Sequence, residues 1–235
     1  MIFDTKVSDR RIWGSPAVPP VSADPEQLLA SLAEVTHAIG HKLEGCVFYT
    51  QKKNVSRLAT LVTDLLTFFE GLEEEEEFLF HSQVSASLSS LLFTLQEVEY
   101  LVVECSRKET SMWMLHQLGF VVGLFRALTS DIGKVMKDLP LWILTSRPLE
   151  NLGRLLALGA AELEYERDRR DKVAANDLKE ILYDLNKVSY PDAGKVRRIL
   201  SHLGIDCWTD CQNQILYIEQ WRTQKFFIGV SAFKI

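Results

Sequence analysis

Apolar residues recur every three or four positions along most of this chain. Val55, Leu58, Val62, Leu65 and Phe69 share one helical face. Val84, Leu88, Leu91, Leu95, Val98 and Val102 form a second stripe, which predicts a helix reaching Cys105. Trp113, Phe120, Leu124, Leu128, Ile132 and Val135 predict one long helix ending near Leu139-Pro140, where proline bars continuation. Leu149, Leu152, Leu156 and Leu163 predict another, whose charged end, Glu162 to Lys172, reads as a helix leaving the core for solvent. Leu178, Ile181, Leu182 and Leu185 mark a shorter helix, as do Val196, Ile199, Leu200 and Leu203.

Punctuation residues set the boundaries. Ser15-Pro16 and Pro19-Pro20 disfavour helix, so the first 24 residues read as a loose lead. Asp24-Pro25 starts the first helix, with aspartate as cap, proline in the first turn and Gln27 where a capping box wants Glu or Gln; its end is expected near Tyr49. Five consecutive glutamates, Glu73 to Glu77, repel one another and read as a solvated connector. Asp192 is the expected cap of the helix that Gly204 stops, and Asp206 could cap a last helix carrying Trp208, Cys211, Ile215, Ile218 and Trp221.

No strand ladder is evident, and no repeat of solenoid length. The expected fold is all-α: an up-and-down, four-helix-type bundle with a small C-terminal helical appendage. The expected division is a lead over 1–24, a bundle over 25–171, a helical segment over 172–222 and an apolar tail over 223–235.

Composition narrows the function classes. The 235 residues carry a formal net charge of -6, which argues against a dedicated nucleic-acid binder. The longest clean apolar run, Leu118 to Phe125, is far short of the roughly 20 residues a bilayer requires. Met1 to Val21 has no apolar stretch of the secretory kind, so the cysteines Cys46, Cys105, Cys207 and Cys211 are expected reduced, in cytoplasm or nucleus. Peripheral membrane association through partners is compatible with that location.

The chain offers no local catalytic constellation: no G-x-S-x-G, no H-E-x-x-H, no phosphate loop before Gly194-Lys195. Cys207 and Cys211 sit at i and i+4 near His202, but a fourth ligand is not apparent, and Cys211 falls in an apolar stripe as a small hydrophobe. His37 and His41 read as solvent-facing or capped, and Glu97 and Glu104 as the wet sides of helices. Trp113, Trp142, Trp208 and Trp221 read as core anchors first and interface anchors second. No catalytic residue, metal or cofactor is expected. Charge clusters nominate a partner-binding surface: Glu162, Glu166 and Arg169 on one stretch, Lys195, Arg197 and Arg198 on another.

Two segments carry a resemblance. One is Leu95-Gln96-Glu97-Val98-Glu99-Tyr100-Leu101-Val102-Val103-Glu104-Cys105-Ser106, continuing through Ser111-Met112-Trp113-Met114-Leu115 to Phe125-Arg126-Ala127-Leu128-Thr129 and Leu139-Pro140-Leu141. The other is Pro191-Asp192-Ala193-Gly194-Lys195-Val196-Arg197-Arg198-Ile199-Leu200, with Leu203-Gly204-Ile205, Cys207-Trp208 and Cys211. Together they resemble the N-terminal domain of plant U-box E3 ubiquitin ligases of the armadillo-repeat group. The resemblance implies a helical domain that binds protein partners, among them receptor-like kinases or trafficking proteins. In that family a downstream U-box recruits the conjugating enzyme. Its Cys-Pro and Asp-Pro-Val signatures do not follow Trp221 here, so no ligase residue carries over and no conjugating-enzyme recruitment is expected. A decoy for a full-length ligase is one implied role. The dense apolar tail, Phe226 to Ile235, is expected to be a chance sequence from a truncated or intron-reading gene model rather than a docking segment. The alternative reading is a membrane-acting bundle of the plant cell-death type, which the acidic balance opposes.

Overall fold

A computed structural model describes residues 24–214 apart from 80, 82, 188, 189 and 208. The apolar tail, Trp208, Trp221 and the first 23 residues lie outside the described residues. Among those described, every regular element is helical, so the fold is all-α. The helices are α1 (Pro25–Gly45), α2 (Lys52–Leu72), α3 (Glu76–Leu79), α4 (Val84–Ser106), α5 (Ser111–His116), α6 (Leu118–Asp138), α7 (Arg147–Glu162), α8 (Arg169–Asn186) and α9 (Ala193–His202). Short 3-10 turns, Lys108–Thr110 and Leu141–Ile143, precede α5 and α7. The chain divides into two compact units.

The first unit comprises residues 24–46, 53–103 and 122–166. The stripes that predict its helices are the buried ones: Leu58, Val62 and Leu65 on α2, Leu88, Leu91 and Leu95 on α4, Leu128 and Ile132 on α6. On α7 the inward face is Leu149, Gly153, Leu156 and Ala160. Its small residues allow close approach. A Cβ on Gly133 of α6 would lie 3.2 Å from both the Ala157 carbonyl oxygen and the Ala161 nitrogen of α7. Phe68 of α2 packs over Gly153 of α7, and Lys42 of α1 meets Glu99 of α4 at 2.7 Å. Such contacts belong to helices packed side by side.

Several expectations in this unit need correction. The side chain of Asp24 makes no cap bond; its carbonyl accepts Leu28 N–H at 2.9 Å instead. The first helix stops at Gly45, since Cys46 is extended. The glutamate run is not a solvated connector throughout. Glu75 is buried and accepts hydrogen bonds from the Thr145 amide and hydroxyl and from the Ser146 amide, at 2.8–2.9 Å. It thereby satisfies an N–H at the start of α7, where the cap residue Ser146 gives no side-chain bond. Glu97 is buried rather than wet. Trp142 is not a core anchor: it is 75% exposed.

The charged stretch after Glu162 is not a helix leaving the core. Residues 163–168 are non-helical, and Tyr165 turns inward, fully buried and stacked on Phe125 at 5.3 Å. The backbone freed from helical bonding finds side-chain donors, as a buried backbone must. Asn54 donates to the Glu166 carbonyl at 2.9 Å, Arg57 to that of Glu164, and Arg126 to that of Tyr165.

The second unit comprises residues 47–52, 104–121 and 167–214. The long helix expected from Trp113 to Val135 is broken at Gln117, whose N–H bonds Trp113 O at 2.8 Å before the chain restarts as α6. The break leaves Met112, Leu115 and Leu118 to pack with Ala174, Ala175 and Leu178 of α8 and Ile199 of α9. Asp192 caps α9 as expected, accepting the Gly194 and Lys195 amides at 2.6 and 3.1 Å. Gly204 has φ +61, and the Gly204→Ser201 and Ile205→Leu200 bonds complete a Schellman motif. The next turn is capped by Cys207, not Asp206: the Asp210 amide donates to Cys207 Sγ at 3.4 Å. Gln214 is buried, accepting Met112 N–H at 2.9 Å and donating to Ser111 Oγ and the Lys108 carbonyl. Glu104, expected on a wet face, is buried and pairs with Arg107 at 2.9 Å.

Candidate functional site

Four arginines of the second unit and His202 line one groove. It has a volume of about 740 Å³ and lies between the start of α8 and the outer face of α9. Arg169, Arg170, Val173 and Asp177 come from α8; Gly194, Arg197, Arg198 and His202 come from α9. The i, i+3 and i, i+4 spacings put them on facing sides of two packed helices. Internal ion pairs fix part of this lining. Arg198 forks onto Asp177, Nε and Nη2 meeting the two carboxylate oxygens at 2.9 and 3.1 Å. His202 Nε2 lies 2.9 Å from Asp171, which is buried and also accepts the Gln51 amide at 2.8 Å. Lys195 is tied to Glu180. Arg169, Arg170 and Arg197 are exposed, and none forms an ion pair among the described residues.

Arg169, Arg197 and Arg198 share the groove, and Lys195 stands beside Glu180 on the same helix pair. Glu162 and Glu166 belong to the first unit; Glu166 is 3.2 Å from Arg57 and 3.9 Å from Lys53. Sequence reasoning missed the two acids that organise the groove, Asp177 and Asp171. No local signal marks them: six positions apart, they lie about 120° apart around α8, and the partners that hold them, Arg198 and His202, come from α9.

A second concave surface of about 650 Å³ lies in the first unit. Met136, Leu139, Trp142 and Leu158 give it an apolar lining, with Lys134, Lys137 and Arg154 at its rim. Trp142 and Leu158 are largely exposed, which is costly for large apolar groups unless another surface covers them.

The four cysteines are free: Cys46 and Cys207 are exposed, Cys211 is partly buried and Cys105 is buried. Burial pushes the Cys105 thiol up, with Glu104 and Asp171 adding to the effect. Burial likewise raises the Tyr165 phenol to about 12. His37 and His41 are exposed and stacked, with ring centroids 4.6 Å apart. Among the described residues no group of three metal-binding side chains occurs, and no helix is long and apolar enough to cross a membrane.

Sequence comparison gives the strongest functional lead. U-box domain-containing protein 19 of Arabidopsis thaliana is 27% identical over 225 residues, covering 94% of this chain and 33% of that protein. U-box domain-containing protein 18 of the same plant is 25% identical, covering 93% and 32%. The chain is similar to plant U-box domain-containing proteins. U-box domain-containing protein 1 of Medicago truncatula extends this to a third protein, at 24% identity over 83% of the chain and 29% of the relative. The chain spans about a third of the length of these U-box relatives. No family model and no solved structure matches it.

Proposed function

We propose that this chain is a protein-interaction domain of the U-box ubiquitin-ligase type, which brings partners or substrates to ubiquitination and takes no part in the transfer chemistry. The observation that carries this reading is similarity over 94% of the chain to a U-box protein three times its length. A match so extensive on one side and so partial on the other is what one module of a larger architecture produces. The two grooves suit such a role. One offers exposed aromatic and aliphatic side chains of the kind that anchor interfaces, the other guanidinium groups with no carboxylate partner among the described residues.

On this reading the chain alone does not recruit a conjugating enzyme, and it competes with a full-length relative for shared partners. The partners proposed from the family resemblance are receptor-like kinases or trafficking proteins, met in the cytoplasm or nucleus. A reconstituted reaction with activating enzyme, conjugating enzyme and ubiquitin tests the catalytic half. Product is expected to stay at the level seen without a ligase; robust chain formation stimulated by this protein would refute the reading.

A further inference from the structure

The basic groove has a charge balance that its own fold does not resolve. Arg198 is neutralised by Asp177, but Arg169, Arg170 and Arg197 line the same concavity with no carboxylate partner among the described residues. Like charges held on facing helices repel, and a concave wall concentrates their field. An anion that enters removes that repulsion and gains several charge-assisted hydrogen bonds.

The lining indicates which anion. A guanidinium presents a rigid fork of donors matched to phosphate oxygens. A phosphorylated side chain carries about two negative charges and three strong acceptors near neutral pH, against one charge for a carboxylate. The groove, at about 740 Å³, is far larger than one phosphate group requires, and Val173 and Ala174 give it an apolar wall. A neighbouring peptide side chain can lie there. Asp177 and Asp171, fixed against Arg198 and His202, oppose a second anion close to the first. The pattern therefore suits a single phosphate with uncharged flanking residues. It does not suit a continuous polyanion, and the net charge of -6 opposes a nucleic acid further.

We propose that the groove between α8 and α9 binds phosphorylated peptide segments of partner proteins, with the phosphate held by Arg169, Arg170 and Arg197. This rests on the protein-interaction reading above and adds that recognition is controlled by phosphorylation of the partner. Arg198 acts as a positioning residue, holding the wall of the groove through Asp177.

The test is fluorescence anisotropy of the whole chain with peptide libraries of degenerate sequence around a fixed central phosphoserine or phosphothreonine. Parallel arms use the unphosphorylated libraries and vesicles containing phosphoinositide. The phosphorylated libraries are expected to bind at least tenfold more tightly than their unphosphorylated forms, and Arg197→Glu to remove at least tenfold of that affinity. Arg197→Lys, which keeps the charge but loses the fork, should fall between. A melting temperature for each variant shows that the fold is kept, and Arg169→Gln with Arg170→Gln replaces any variant that does not fold. Equal affinity for both libraries, no binding of either, binding of the vesicles alone, or indifference to the arginine variants would each overturn the proposal. Partner capture that persists while phosphopeptide binding fails sinks this inference and leaves the interaction reading intact; loss of all partner capture by the wild-type chain sinks the reading beneath it.

Discussion

Glu75 shows how a residue that looks merely solvated can organise an element. Burial alone would push its carboxyl up. The amides of Thr145 and Ser146 and the Thr145 hydroxyl outweigh that, and the group titrates below its ordinary value of 4.5. Because the folded pKa is the lower one, the stabilisation is present above the ordinary carboxylate range and is lost as pH falls through the depressed value. Glu75→Ala leaves Ser146 and Thr145 donors unsatisfied and is expected to cost about 1–3 kcal/mol in urea denaturation. The variant should also lose part of the acid sensitivity of the wild type below that range. Nothing in a run of five glutamates distinguishes the third, since its partners lie some 70 residues away in sequence. The cysteines make a similar contrast. Cys105 is buried and its thiol is raised, whereas Cys46 and Cys207 are exposed. Native-state alkylation followed by peptide mapping should label Cys46 and Cys207 first and Cys105 only on unfolding; early labelling of Cys105 would contradict the packing described.

At the scale of elements, what was legible depended on whether the signal was local. Periodicity located α2 and α4 closely, because a buried stripe is written into spacing alone. The cap of α9 and its glycine stop were legible for the same reason: Asp192 and Gly204 act on amides and carbonyls within a few residues. The break at Gln117 and the non-helical strap at 163–168 were not. The strap runs through sequence that would support a helix, and tertiary partners decide against it: Asn54, Arg57 and Arg126 take the carbonyls of 164–166. Gly204 gives a direct check on the local account. A Cβ there would meet Tyr49 at 3.6 Å, an ordinary contact, so the cost of Gly204→Ala is conformational. It is expected at about 1–2 kcal/mol, the penalty of a left-handed residue with a side chain. Hydrogen exchange should show the loss in α9 and its surrounding cluster.

On the scale of the whole molecule, the all-helical class could be read from the chain, while the membership of each compact unit could not. The second unit collects residues 47–52, 104–121 and 167–214, three stretches whose association depends on Met112, Leu115 and Gln214 finding partners distant in sequence. The same holds for the candidate site. Charge clustering nominates Arg169, Arg197 and Arg198, but the groove they line, and the acids Asp177 and Asp171 that take Arg198 and His202, exist only in the folded unit. Trp142 was missed as a surface feature because an apolar neighbourhood in sequence does not say which side faces outward.

We propose that this chain serves by holding other proteins. Quantitative affinity capture from plant tissue, comparing the wild-type chain with a Trp142→Ala/Leu158→Ala variant and an Arg197→Glu variant, tests it most directly. The account predicts a reproducible set of proteins enriched by the wild type and depleted at least severalfold by one variant or the other. Recovery no greater than with an unrelated helical protein of the same size, or recovery unchanged by both variants, would contradict it.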